Sequence, residues 1–435
     1  MPVVAIVGRP NVGKSTLFNA LIKQNRAIVG PERGITRDRI YARLNLSEDL
    51  DVDLVDTGGF DTTGEGDFSQ RMYEQTMLAI QDADLLICLF DIQSDITPDD
   101  QELVRIIRES GAPVVFVANK VDDPHGNMAS SMLHEFGVHD FINISARKRA
   151  GIPELLERVR SLVVSVPQLS LQDQTDAIRV SILGRPNVGK SLLLNKIIGE
   201  ERSLVSPVAG TTRDYIDIKV SHEGKDYVFV DTAGIRRRAR IQDNLEKESV
   251  MRSLKNIDMS HVCLLLVDPL EGVTEQDKRL CRIMTDHGRA FALVVNKSDL
   301  IEPGKRTDIR EAVHHELKFL PDVKIQFVSA LTGRDVGRLY PIISDLFAKT
   351  TAQAPTPKVN RIIMDIAKTS LPPMAKGKQL KFYYITQVGT IPPQFRIVTN
   401  YPDSIPENYQ RFLLHTLKKE LSLEGVPIRL RFVSR

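Results

Sequence analysis

The octapeptide GRPNVGKS occurs twice in this chain, at Gly8–Ser15 and again at Gly184–Ser191, 176 residues apart. The segments downstream of each copy also match in order. GITRD at Gly34–Asp38 is answered by GTTRD at Gly210–Asp214, VDTGG at Val55–Gly59 by VDTAG at Val230–Gly234, NKVD from Asn119 by NKSD from Asn296, and SAR from Ser145 by SAL from Ser329. The spacing drifts only between 175 and 184 residues. Solenoid repeats are about 20 to 50 residues long, so a period this long means that whole domains have been duplicated.

Within each copy, apolar runs alternate with amphipathic stretches. In the first copy VVAIVG precedes LFNALIKQ, DADLLICLFD precedes QELVRIIRES, and PVVFVANK precedes HDFINIS and ELLERVRSLV. Buried strands crossed by helices predict an α/β fold: a mostly parallel sheet with helices on both faces, and the motifs at strand ends, where such sheets take ligands. The 435 residues then divide into a first domain at 1–164, a polar linker at 165–176, a second domain at 177–350, a short linker at 351–358 and a terminal domain at 359–435.

Composition limits the remaining possibilities. A hydrophobic content of 42% with 26% charged residues is ordinary for folded domains. Cys88, Cys263 and Cys281 lack metal-ligand spacing, and the first two lie inside apolar runs, which reads as core in a reducing, cytoplasmic protein. No apolar run approaches the 18 or so residues of a membrane helix, so no membrane association is expected. The net charge of +2 conceals an asymmetry: residues 352–435 hold 13 Lys+Arg against 5 Asp+Glu, while the rest of the chain is acidic.

A GxxxxGKS segment between a strand and a helix is a phosphate cradle. In Gly8, Arg9, Pro10, Asn11, Val12, Gly13, Lys14 and Ser15, the glycines let backbone N–H groups wrap phosphates, the helix N-terminus adds positive potential, and the lysine reaches the β and γ oxygens. Gly184, Arg185, Pro186, Asn187, Val188, Gly189, Lys190 and Ser191 repeat the arrangement. The Ser15 and Ser191 hydroxyls are candidate magnesium ligands, together with Asp56 and Asp231 at the ends of apolar strands and Thr36 and Thr212 in the polar loops between. In the segments Asp56-Thr57-Gly58-Gly59 and Asp231-Thr232-Ala233-Gly234, the glycine amide would face the γ-phosphate.

Asn119-Lys120-x-Asp122 and Asn296-Lys297-x-Asp299 select the base, because a carboxylate accepts from both N1–H and the 2-amino group of guanine but meets a lone pair on adenine N1. Ser145-Ala146 and Ser329-Ala330 would support it with a backbone amide, although such dipeptides mean little alone. The residue after each Asp-Thr-x-Gly, where a glutamine could orient the attacking water, is Phe60 or Ile235. Neither can bond water. Asn11 and Asn187 offer amide oxygens beside the phosphates, where potassium could supply the missing charge; alternatively they only order the loop. The second copy continues with Arg236, Arg237, Arg238 and Arg240, a candidate RNA grip or a solvated charge run.

The terminal domain reads as strand-like NRIIMDI, then PPMAKGKQLKFYYITQ and PPQFRIVTN, then the amphipathic helix ENYQRFLLHTLKKEL and a closing strand PIRLRFV; two or three strands against helices make an α+β unit. Lys376, Lys378 and Lys381 sit beside Phe382, Tyr383 and Tyr384, which suits RNA but equally a core strand.

The tandem GRPNVGKS domains, the GITRD and GTTRD segments, and the FYYITQ, PPxF and NYxRFLLHTLKKEL strings together resemble the Der (EngA) family of bacterial GTPases over essentially the whole chain. The resemblance implies a KH-like terminal fold, GTP and GDP as ligands with magnesium and potassium, and a switch in maturation of the large ribosomal subunit that contacts rRNA in the GTP state. It also implies a protein that is cytoplasmic, ribosome-associated and monomeric when free. Gly377-Lys378-Gln379-Leu380 lacks the second glycine of a GXXG clamp, so basic surfaces are the expected route to RNA. A GTPase coupled to base modification is the competing expectation, and it would require a further catalytic domain.

Overall fold

The structure is a computed structural model that describes residues 1–24, 41–47, 50–57, 77, 79–80, 82–94, 97–121, 133–134, 137–164, 177–200, 206–208, 217–231, 250–369, 372, 374–375 and 378–435. The chain divides into two compact units, Met1–Leu169 with Ser249–Lys255, and Ser170–Glu248 with Asn256–Arg435.

The first unit is built on β1 (Val3–Val7), α1 (Lys14–Gln24), β2 (Tyr41–Ser47), β3 (Leu50–Asp56), β4 (Leu85–Asp91), α2 (Pro98–Ser110), β5 (Val114–Asn119), β6 (Phe141–Asn143) and α3 (Ile152–Val164). Its six strands are ordered β2-β3-β1-β4-β5-β6, with only β2 antiparallel to its neighbour. Central strands of such a sheet are covered on both faces, which is why β1 (VVAIV) is buried at every position and β4 (LLICLFD) at all but Asp91. The chain leaves β1 toward β3 on one side and β4 on the other, so a crevice opens beyond the end of β1, where the first GRPNVGKS lies.

The second unit repeats the plan with β7 (Ile178–Gly184), α4 (Lys190–Glu200), β8 (Ser206–Val208), β9 (Asp217–His222), β10 (Lys225–Phe229), α5 (Val250–Asp258), β11 (Val262–Val267), α6 (Glu275–Asp286), β12 (Ala290–Val295), α7 (Arg306–Glu316), β13 (Lys324–Phe327) and α8 (Leu339–Thr351). Strand order is β13-β12-β11-β7-β10-β9-β8, again parallel except at the β10-β9-β8 edge. Cys88, Cys263 and Cys281 are all buried free thiols, and burial raises each pKa above the ordinary thiol value, that of Cys263 to about 11. None of the described helices is long and apolar enough to cross a membrane.

The terminal domain, in the same unit, contains α9 (Thr356–Thr369), the short strands β14 (Met374–Ala375) and β15 (Lys378–Gln379), then β16 (Phe382–Gly389), β17 (Gln394–Thr399), α10 (Glu407–Glu420) and β18 (Arg429–Ser434). Strand β17 is central, antiparallel to β16 and parallel to β18, and both helices cover one face of the sheet. The expectation that NRIIMDI is a strand is wrong: it lies in α9. Val359, Ile362, Ile363 and Ile366 recur at three- and four-residue spacing, and all are buried in the domain core. The β-branched run hid this helical period. The linker expected at 351–358 shrinks to the residues between α8 and α9, and it is pinned: Gln387 accepts from Ala354 N at 2.7 Å and donates to Ala352 O at 2.9 Å.

This domain shares a core with the second α/β domain. Val426, fully buried, belongs to the apolar cluster of Ile178, Leu264, Val294 and Leu346 rather than to that of α9 and α10. Around it, Arg429 donates to Asp286 O at 2.9 Å, and a Cβ on Gly288 would collide with the ring of Pro392. Lys418 is half-buried at this junction, and desolvation lowers its pKa against the pull of Asp322 and Glu424.

Candidate guanine-nucleotide sites

Each GRPNVGKS turn follows from the conformation of a few residues. Gly8 and Gly184 have φ of 148° and 140°, and a Cβ on either would lie 2.6 Å from the carbonyl oxygen of Leu89 or Leu266 on the neighbouring strand. Only glycine fits there. Asn11 and Asn187 hold left-handed φ of 62° and 63° at the exposed tip, a region asparagine tolerates better than most side chains. Gly13 and Gly189, at φ of 104° and 97°, then turn the chain into α1 and α4, so the helix N-termini point into the loops. Lys14 Nζ donates to Gly8 O and Arg9 O at 2.7 and 2.9 Å, and Lys190 Nζ to Gly184 O and Arg185 O at 2.5 and 2.8 Å, so each ammonium arches over its own loop. Burial lowers the pKa of Lys14, opposed by Asp56.

The asparagines of the two NKxD segments do something that sequence spacing alone does not show. Asn119, buried, donates from Nδ2 to Val12 O at 2.7 Å and accepts at Oδ1 from Ala146 N at 3.0 Å. Asn296 repeats both bonds, to Val188 O at 2.8 Å and from Ala330 N at 3.0 Å. One side-chain amide thus ties the phosphate-type loop to the Ser-Ala loop. It also explains Gly13 and Gly189, because a Cβ at either position would run into this amide nitrogen. The amides of Ala146 and Ala330, expected to face the base, are here held by the asparagines.

Lys120 and Lys297 hold left-handed φ of 65° and 54°, and their ammonium groups pair with Asp91 at 2.6 Å and Asp268 at 2.7 Å. Burial acts to raise the pKa of Asp268, but Lys297, the N–H of Leu270 and Arg185 together bring it below the ordinary carboxylate value. Asp299 stands exposed in the 3-10 turn Ser298–Leu300, beside the buried Asn296. Ser145 and Ser329 are buried, and their hydroxyls accept from Lys148 N and Thr332 N, fixing the loop that carries the following alanine.

These two constellations match known proteins over the whole chain. The family described as "50S ribosome-binding GTPase" matches residues 3–120 and 179–297, and the "KH-domain-like of EngA bacterial GTPase enzymes, C-terminal" family matches 353–432. A GTPase Der of Syntrophotalea carbinolica is 42% identical over 100% of this chain and 99% of its own length. The GTPase Der proteins of Moorella thermoacetica and Myxococcus xanthus are 40% and 39% identical, covering 99% and 100% of this chain and 98% and 96% of theirs. The chain belongs to the Der family of GTPases. A solved structure of Era with MgGDPNP and nucleotides 1506-1542 of 16S ribosomal RNA is 21% identical over 60% of this chain and 93% of that one. Its TM-score of 0.31 is too slight a likeness to bear on function.

As a Der GTPase the protein binds GTP and GDP. In its first domain Ser15 Oγ donates to Asp56 Oδ2 at 2.6 Å, bringing together two of the three oxygens expected at magnesium there; Asp56 is fully buried and Thr57 Oγ1 anchors to Ile6 O at 2.8 Å. Hard oxygen donors converging beside a lysine suit that ion. In the second domain Asp231, at a left-handed φ of 51°, accepts from Asn256 Nδ2 at 3.1 Å. The two copies therefore present their carboxylates differently. Thr36, Gly58, Gly59, Phe60, Asp122, Thr212, Thr232, Ala233, Gly234, Ile235, Arg236, Arg237, Arg238, Arg240 and Lys376 lie outside the described residues, as does the side chain of Lys378; Lys381 is exposed at the start of β16.

One further element is duplicated. Thr97 and Thr274 each form a capping box with Asp100 and Asp277, the third residues of α2 and α6. Each buried carboxylate also receives the loop arginine, Arg9 at 3.2 Å and Arg185 at 3.1 Å. Burial would lower the pKa of Arg185, but Glu271 and Asp277 keep it above its ordinary value. The matched TPDD and TEQD strings carried that signal in the sequence.

Proposed function

We propose that this GTPase is a nucleotide-controlled switch in biogenesis of the large ribosomal subunit, contacting rRNA in its GTP state in the cytoplasm. The duplicated loop-to-loop tie at Asn119 and Asn296 carries the reading, since it builds two guanine-type pockets in one chain. The family description "50S ribosome-binding GTPase" supports the partner, and the basic terminal domain supports RNA contact. Each pocket would seat the phosphates on the loop amides under Lys14 or Lys190, and the base against Asp122 or Asp299. Ser15, Thr36 and Asp56 in the first domain, and Ser191, Thr212 and Asp231 in the second, would hold magnesium, which when bound neutralises charge on the β and γ oxygens. No glutamine stands at position 60 or 235, where the sequence has Phe60 and Ile235, so charge stabilisation would come from elsewhere, and Asn11 and Asn187 would hold potassium beside the phosphates. Turnover in potassium chloride should exceed that in sodium chloride, and equal rates would remove the potassium role. Sedimentation of lysate with a non-hydrolysable GTP analogue should enrich the protein with the large subunit relative to GDP. Indifference to the nucleotide would refute the switch.

A further inference from the structure

The sheet of the terminal domain has two faces of opposite character. One carries Phe382, Ile385, Phe395 and Ile397 against α9 and α10. On the other, strand register sets Thr386, Arg396 and Arg431 side by side across β16, β17 and β18, with Tyr384, Val398 and Val433 in the adjoining row. Arg396, Arg431 and Tyr384 are exposed.

Like charges placed directly opposite on adjacent strands, about 4.8 Å apart, destabilise a sheet unless something answers them. Among the described residues nothing does: neither guanidinium makes an ion pair or hydrogen bond, and none of the three strands contains Asp or Glu. The neighbouring row supplies an aromatic ring two residues along, about 6–7 Å away. At the sheet margin the Arg435 guanidinium lies 5.5 Å from the centre of the Tyr383 ring.

We propose that this open sheet face, rather than a GXXG-type loop, is the domain's RNA platform, taking single-stranded RNA with a phosphate between Arg396 and Arg431 and a base stacked on Tyr384. The proposal deepens the reading of rRNA contact given above and rests on it. Paired guanidinium groups match a phosphodiester, and a flat aromatic beside them matches an unstacked base; an acidic protein surface would use the first feature but not the second. An exposed aromatic on a sheet face stacks an unpaired base, which a duplex keeps inside its own stack.

The test uses the full-length protein and a fluorescent 12-nucleotide single-stranded RNA followed by anisotropy over a salt series. Arg396→Gln with Arg431→Gln should weaken binding at least tenfold and flatten the log–log salt slope by about 0.7, the contribution of the one phosphate they share. Tyr384→Ala should weaken it at least fivefold, while Tyr384→Phe, which keeps the stacking surface, should bind as the unaltered protein does. Retained GTP binding by each variant shows that the adjoining domain is folded. Unaltered affinity and slope in the double arginine variant would overturn the platform, as would equal displacement of the RNA by polyglutamate combined with no effect of Tyr384→Ala. Normal RNA binding by the platform without nucleotide-dependent sedimentation with the large subunit would instead refute the ribosomal reading and leave the platform standing.

Discussion

Replacing Asn296 with alanine should damage the second nucleotide site through the two loops that its side chain joins. The side chain is 1% exposed and makes two bonds, to Val188 O and from Ala330 N, so truncation strands a carbonyl and an amide in the interior. Each stranded buried group costs about 1–3 kcal/mol, giving about 2–6 kcal/mol if neither finds water. These bonds join the two loops that frame the pocket. Once they are lost the empty loops can separate, and nucleotide must reimpose the geometry out of its own binding free energy. At the lower bound of about 2 kcal/mol the dissociation constant rises about thirtyfold. Asn296→Asp is the sharper variant, since it keeps the acceptor for Ala330 N but turns a carboxylate oxygen toward the carbonyl of Val188. It should be at least as damaging as alanine. The assay is titration with a fluorescent GDP analogue in a Lys14→Ala background, which restricts the signal to the second site, alongside thermal unfolding. Wild-type affinity in both Asn296 variants would refute the claim that this amide organises the pocket.

Three other outcomes are expected. Ser15→Ala, measured with the second site silenced by Lys190→Ala, should raise the magnesium concentration for half-maximal turnover and slow turnover about tenfold or more, equivalent to about 1.4 kcal/mol of lost stabilisation; an unchanged magnesium dependence would remove Ser15 from the metal site. Asp268 has a folded pKa below its ordinary 3.8, so its pairing stabilises the second domain above about pH 4 and is lost as pH falls through the depressed value; Asp268→Asn should flatten the acid limb of unfolding, and parallel curves below pH 4 would contradict this. Val426→Asp puts a carboxylate into an apolar core and should cost several kcal/mol, seen as a lower melting temperature and proteolytic cleavage between α8 and α9; a wild-type melt would show that the junction is not a shared core.

The motifs legible in the sequence were those whose chemistry needs consecutive residues. GRPNVGKS, with glycines at φ values other residues avoid, could be read directly, and so could the buried parallel strands. The helix α9 could not, because its β-branched residues satisfy strand propensity and helical spacing at once, and only packing on β16 decides between them. There Asn360 pairs with both the N–H and the C=O of Ile385, capturing a strand backbone from a helix. The role of Asn119 and Asn296 was hidden for another reason: each binds residues more than a hundred positions away in one direction and about thirty in the other. Spacing cannot show a contact made by folding. The Thr-x-x-Asp pairs were visible as repeats, but their link to Arg9 and Arg185 required the helix N-terminus to be swung beneath the loop.

Val426 closes an interior whose first strand, β7, begins about two hundred and fifty residues earlier. During synthesis the second nucleotide-binding domain is therefore made with a socket open to solvent, filled only after the whole terminal sheet but its last strand has emerged. Contacts so distant along the chain form late and leave apolar surface uncovered meanwhile. A chain stopped before Val426 would leave that socket uncovered, so the interior of the second nucleotide-binding domain is completed only by residues well beyond its own last helix.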